Sequence, residues 1–338
     1  MPKILSFHYF CYRIILPILS FMSKIHIFQK LFFGVILGDY RLEKVPIPEP
    51  GLKEILVKVE AVGICASDAK VYLGAPKYWG KEGEKCRMVL PQIPGHEFSG
   101  KVVKLGPNAQ DHHKVSIGDL VTAEQVVTCN DCRFCLKGDY NVCIKRKVFG
   151  FKGLHGAMAE YMIFPAHSRV YKIPEGMDPF HAAFVEPLSI AIHGINRAEI
   201  QFSDVVVISG CGPIGLGMIS AAQRKSPKLI VALGNLSITT YILLTKLLLH
   251  IVDLFDWKLD IAKRCGASHV FNPLHCNVKE EINKLTENYG CDVYLEVTGN
   301  PLSVKQGLDI LANHGRFVCM SIFKGEVSVD WSIIGIIN

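Results

Sequence analysis

Four cysteines fall within fifteen residues, at Cys129, Cys132, Cys135 and Cys143, in the run CNDCRFCLKGDYNVC. Thiolates are soft donors suited to tetrahedral zinc, and four of them fill its shell with no open position. The run therefore reads as a structural zinc site, where metal-binding free energy becomes folding free energy. An iron–sulfur cluster also takes four cysteines, but the bacterial ferredoxin run ends C-x3-C-P. Here the last gap is seven residues and no proline follows Cys143. A second constellation is looser. Cys65 stands just after the strand-like stretch ILVKVEAV, within Gly63-Ile-Cys-Ala-Ser-Asp68. His96 and Glu97 follow inside Gly95-His-Glu-Phe-Ser-Gly100, where flanking glycines suit a tight turn that presents both side chains to one cavity. Taken alone, a Gly-His-Glu triplet is weak, because a lone histidine is more often a satisfied core residue.

A third group of residues could hold a phosphate. The β-branched run VVVIS leads into Gly210-x-Gly212-x-x-Gly215, with Pro213 and Ile214 between the last two glycines, and then into the helical stretch LGMISAAQRK. In that order the glycines let backbone approach a pyrophosphate at the helix N-terminus. Downstream, DWKLDIAKRCGA, SHVFNP, VKEEINKLTENYG, DVYLEVTG, PLSVKQGLDILANHG and RFVCMSIF alternate helix and strand patterns, which predicts an open parallel sheet. The acid that selects the dinucleotide belongs about 20 residues beyond the glycines. The first candidate, Asp253, lies 38 residues beyond Gly215; without the apolar segment 234–252 the separation would be 19. That segment, GNLSITTYILLTKLLLHIV, reads as an insertion into the unit, of the kind a retained intron produces. With Asp253 in place, its carboxylate would bind ribose hydroxyls and repel a 2′-phosphate, favouring NAD over NADP.

The remaining sequence bounds the protein class. Its 338 residues are enough for two domains, and 49% hydrophobic with 20% charged residues is a globular composition. The net charge of +6 is dispersed, with Lys145-Arg146-Lys147 the one tight basic cluster, so a nucleic-acid partner is not expected. Twelve cysteines in so long a chain, four of them clustered, suggest metal binding in a reducing cytoplasm more than a disulfide framework. Cys11, Cys86, Cys265, Cys276, Cys291 and Cys319 read as ordinary thiols. Residues 1–37 are apolar and acid-free, but Lys3, Arg13, Lys24 and Lys30 interrupt them before any run reaches the roughly 18 residues a membrane helix needs. A mistaken start is the favoured reading of that segment; a membrane tether or a targeting segment is the alternative.

Taken together, Gly95-His96-Glu97, Gly100, Gly106 and Ala109, the four-cysteine run and Val185-Glu-Pro-Leu-Ser189 resemble the zinc-containing medium-chain alcohol dehydrogenases. Within them the chain is most similar to the sorbitol, threonine and erythritol/threitol dehydrogenase branch. The resemblance covers about residues 38–233 and 253–338. It implies a two-domain α/β fold. A GroES-like, mostly β catalytic domain would span 38–190 with its structural-zinc lobe at 129–143. A Rossmann-type domain over 191–338 would be interrupted by 234–252 and truncated at its end. It implies Cys65 and His96 as catalytic zinc ligands, Glu97 as a ligand or exchangeable neighbour, and Glu186 as a further member of the ligand set, in a position where other branches use cysteine. Ser67 falls where the family places the hydroxyl that relays the alcohol proton, although a serine before a short helix is also a capping residue. Relatives often carry a histidine five residues after the cysteine; this chain has Lys70. The implied reaction is reversible oxidation of a secondary alcohol or polyol to a ketone, with two zinc ions per chain and NAD, in a homodimer or homotetramer. Substrate is expected in the cleft between the domains. A zinc-holding but inactive paralogue, or the product of an erroneous gene, is the competing reading.

Overall fold

The computed structural model describes residues 28–36, 38–80, 88, 90–234, 255–323, 325–330 and 332. The apolar start up to residue 27, the segment 235–252 and Asp253 therefore lie outside the described residues. The chain divides into two compact units between Glu186 and Pro187.

The first unit is mostly β. Strands β1 (Phe28–Ile36) and β2 (Asp39–Pro46) form an antiparallel ribbon. Strand β3 (Ile55–Val62) is followed by helices α1 (Ala66–Tyr72) and α2 (Pro76–Trp79), then by β4 (Phe98–Leu105). Next come α3 (Ala109–His113), β5 (Leu120–Ala123), β6 (Val126–Val127), α4 (Arg133–Leu136), β7 (Lys147–Phe149) and β8 (Gly153–Leu154). Strands β9 (Tyr161–Phe164) and β10 (Val170–Lys172) and helix α5 (Pro179–Ala183) complete it. One five-stranded sheet runs β10-β5-β4-β3-β9, and β6, β7 and β8 make a smaller one. The sheet closes on Ile55, Val57, Val102, Val121 and three aromatic rings. Phe98, Phe149 and Phe164 meet at centroid distances of 5.3, 5.5 and 5.9 Å. Fully burying each such ring stabilises by about 1.5–3 kcal/mol. Because Phe98 directly follows Glu97, this core also fixes the turn that carries His96 and Glu97.

Helix α6 (Val185–Arg197) begins at the division and leads into the second unit. There β11 (Val205–Ser209), α7 (Pro213–Gln223), β12 (Leu229–Leu233), α8 (Phe255–Arg264), β13 (His269–Phe271), α9 (Val278–Thr286), β14 (Cys291–Glu296), α10 (Pro301–Ile310) and β15 (Leu311–Cys319) alternate as the sequence predicts. The strands form a parallel sheet of order β13-β12-β11-β14-β15, the Rossmann-type arrangement. All five residues of VVVIS are buried, as a strand covered on both faces requires. Alternate residues serve two cores: Val206, Ile208, Ile230 and Leu295 pack on one side, and Val205, Val207, Val231 and Tyr294 on the other. One helix is shorter than expected. The stretch LANHG belongs to β15 rather than to α10, and His314 there takes a positive φ of 60°. No helix among the described residues is long and apolar enough to cross a membrane.

Candidate active site and metal centres

The four-cysteine lobe is assembled by short elements around α4 and a 3-10 turn over Tyr140–Val142. Its sulfurs are 3.4 Å (Cys129–Cys143), 3.5 Å (Cys132–Cys135), 3.8 Å (Cys132–Cys143) and 3.9 Å (Cys129–Cys135) apart. A disulfide would bring two of them to about 2.05 Å. A zinc tetrahedron with bonds of about 2.3 Å has edges of about 3.8 Å, so the set fits a closed zinc site. The chain itself prepares two of these thiols. Backbone N–H groups, first that of Cys135, pull the Cys132 thiol down to about 6, and the N–H of Cys129 leads in lowering Cys143. The neighbouring Asp131 carboxylate pushes Cys129 up to about 12, a shift that a cation in the site would oppose.

The second cluster joins the end of β3 to the turn before β4. Cys65 Sγ, a ring nitrogen of His96 and a carboxylate oxygen of Glu97 all lie within 4.8 Å of one another. Gly95 makes the turn possible with a φ of +94°. Gly63 lacks the Cβ that would occupy the space of the Glu97 carboxylate, and its N–H donates to the Glu97 carbonyl at 2.7 Å. Cys65 is the N-cap of α1, and its N–H donates to Asp68 Oδ2 at 2.9 Å. The other oxygen, Asp68 Oδ1, lies 3.7 Å from His96 Nδ1, and both atoms are buried without a hydrogen-bond partner. A small closure makes that contact a hydrogen bond, which would leave Nε2 as the ring's electron-pair donor.

Electrostatics favours a cation here. Burial pushes Cys65 up to about 11 and Asp68 up to about 7, raises Glu97, and draws His96 down to about 4. Buried acids and a neutral imidazole converge on one point, and a divalent ion at that point reverses the cost of ionising them. The Cys/His/Glu donors suit zinc and leave a fourth tetrahedral position open. Glu186 lies outside this tight cluster. It sits in the first turn of α6 and accepts a hydrogen bond from the Gln125 amide. Burial first, then the Glu97 charge, raise its carboxyl to about 8.

Ser67 does not cap α1, since Cys65 and Asp68 perform that task. Its hydroxyl lies 3.5 Å from His96 Nε2, and it works against burial to hold down both the Cys65 thiol and the Tyr78 phenol. Tyr78 stacks on Phe151 at 5.6 Å, and Phe151 packs against the His96 ring at 4.7 Å. Lys70 is half-buried in the last turn of α1, three residues along from Ser67.

In the second unit, Gly210, Gly212, Pro213, Ile214 and Gly215 form the turn from β11 into α7, with Pro213 opening the helix. A Cβ on Gly215 would collide with the Gly210 carbonyl, whereas one on Gly212 would meet nothing within 4 Å. The turn is thus tight inside and open outside, with helix N–H groups at the open face, which suits a pyrophosphate. A small recess lies at the carboxyl ends of the strands, lined by Ser209, Gly234, Thr298, Asn300 and Ser303 among others.

Residues 51–175 match the alcohol dehydrogenase GroES-like domain, and residues 248–336 match the zinc-binding dehydrogenase domain. The erythritol/L-threitol dehydrogenase of Mycolicibacterium smegmatis is 44% identical over 297 residues, 88% of this chain and 77% of that protein. The chain belongs to the zinc-containing medium-chain alcohol dehydrogenases. An L-threonine 3-dehydrogenase of Pyrococcus abyssi is 32% identical over 86% of this chain and 75% of its own length. A zinc-binding dehydrogenase from Sinorhizobium meliloti bound to NADP superimposes with a TM-score of 0.77 at 27% identity, covering 92% of this chain and 82% of the other. Membership agrees with the fold and with the sequence resemblance, and it identifies the chain as a zinc-dependent, nicotinamide-linked oxidoreductase. The inactive reading gains no support from these relatives. Sequence reasoning did not assign roles to Asp68, Tyr78, Gln125 or Phe151. Only Asp68 left a local signal, the three-residue spacing of a capping pair from Cys65.

Proposed function

We propose that this alcohol dehydrogenase oxidises a secondary hydroxyl of a short polyol to a ketone, with NAD as hydride acceptor. The observation that carries the reading is the Cys65–His96–Glu97 cluster, with the Ser67 hydroxyl 3.5 Å from His96 Nε2. Zinc bound there would supply Lewis acidity that lowers the pKa of a bound hydroxyl. Cys65, His96 and Glu97 hold the metal, and Asp68 orients the imidazole. Ser67 accepts the alcohol proton and passes its own towards Tyr78 and on to water, with the Lys70 ammonium one turn along α1 at the outer end of the relay. The loop Gly210–Gly215 binds the dinucleotide pyrophosphate on the α7 N-terminus, and Asp253, once brought to its place without the segment 234–252, would select NAD over NADP. Glu186 belongs to the same site, outside the Cys65–His96–Glu97 cluster and held by Gln125. The four-cysteine lobe holds a second, structural zinc, giving two per chain, and the working assembly is a homodimer or homotetramer in the cytoplasm.

Polyols are favoured by the likeness to erythritol/L-threitol dehydrogenase. The test is turnover by the full zinc-loaded chain on erythritol, threitol, sorbitol and threonine, followed as NADH or NADPH formation. Activity with a tetritol and NAD that is abolished by Cys65→Ala is expected. Two zinc ions per chain with no turnover on any alcohol would return the inactive paralogue.

A further inference from the structure

Glu186 is the one carboxylate of the predicted ligand set outside the Cys65–His96–Glu97 cluster, and Gln125 holds it. Gln125 has little freedom of its own. Its carbonyl accepts from the Phe149 N–H at 3.0 Å, and the next two residues form β6 against β7. Glu124, on its other side, accepts from the hydroxyls of Tyr140 at 3.2 Å and Tyr171 at 2.8 Å. Tyr140 belongs to the four-cysteine lobe. Arg169 lies over its ring at 3.6 Å and donates to the Thr128 hydroxyl at 3.0 Å. The stretch 124–128 is therefore fixed from both ends, and the Gln125 amide projects from the bend between β5 and β6.

We propose that Gln125 is a positioning residue that keeps the Glu186 carboxylate off the catalytic metal, so that the fourth coordination position stays open to the alcohol. The inference rests on the reading of the Cys65 site given above. A carboxylate beside a divalent cation binds it unless another partner occupies its lone pairs. A neutral amide suits that task, because it satisfies Glu186 without placing a competing cation next to the metal. Gln125 stands outside the Cys65–His96–Glu97 cluster and acts through Glu186.

The experiment uses the full chain with zinc in the four-cysteine lobe and cobalt in the catalytic site. In the parent protein, azide should enter the open position and shift the cobalt d–d bands. Gln125→Met keeps the side-chain length and removes the donor; Gln125→Asn withdraws the donor by one methylene and serves if the first variant folds poorly. Either should release Glu186 to the metal, alter the resting bands and weaken azide binding by about tenfold or more, the usual scale for loss of an outer-shell contact. Adding Glu186→Gln to Gln125→Met should restore the parent spectrum and azide affinity, a rescue that mere loss of packing would not give. Parent bands and parent azide affinity in both single variants would overturn the proposal. A parent chain that takes up cobalt nowhere near Cys65 would overturn the reading of the site itself.

Discussion

Asp68 joins local structure to chemistry through one carboxylate. One oxygen caps α1 through the Cys65 N–H, and the other faces His96 Nδ1 from 3.7 Å. Asp68→Asn keeps an oxygen for the cap but loses the charge that orients the imidazole and supports its basicity. The expected outcome is a catalytic-site zinc affinity about 10–100-fold lower, with the fold intact and the four-cysteine site unchanged. Competition against a chromophoric chelator measures this, and an unaltered affinity would reduce Asp68 to a helix cap. At this scale the sequence was legible where chemistry and spacing coincide. The four lobe cysteines are read from residue type and short intervals, whereas Cys65 and His96, 31 residues apart, and Glu97 became ligand candidates through the family resemblance. Partners separated along the chain were not legible: nothing in the sequence ties Gln125 to Glu186 across 61 residues, because only the fold brings them together.

The elements divide the same way. The parallel sheet could be read because β-branched runs and Gly210–Gly215 state both period and turn. The end of α10 could not, since Leu311 and Ala312 continue an apolar pattern while the chain turns into β15. The lobe is the element whose removal should be felt furthest. Cys132→Ser replaces a buried thiolate donor by a poor hydroxyl and should empty the closed site. A loss of about 3 kcal/mol, modest for a lost metal site, lowers the Tm of a unit of this size by roughly 6–12 °C. Because Tyr140 and Thr128 anchor the segment 124–128 that carries Gln125, turnover should also fall before unfolding begins. Calorimetry and zinc analysis at a temperature where the variant is still folded check both. A variant that keeps full activity with one zinc per chain would confine the lobe to stability.

Across the whole molecule, the largest departure from a regular dinucleotide unit is the distance between Gly215 and Asp253. Strand β12 ends at Leu233, and the Gly234 N–H donates to the Phe271 carbonyl at 3.0 Å, capping the sheet edge. Gly234 also lines the recess at the carboxyl ends of the strands, where ligands of open α/β sheets bind. Deleting 234–252 makes Asp253 follow Leu233 directly. Its backbone N–H can replace that of Gly234, so the sheet edge need not change. Its carboxylate then stands at the recess, 19 residues beyond Gly215. The shortened chain should bind NADH at least about tenfold more tightly than the parent, which is about 1.4 kcal/mol and a modest yield for a carboxylate on two ribose hydroxyls. Binding of NADPH should gain nothing, because the same carboxylate repels the 2′-phosphate. Nucleotide fluorescence titration of both chains decides between two views of the segment. Tighter NADH binding marks it as an interruption of the unit, and equal or weaker binding means that the chain uses it.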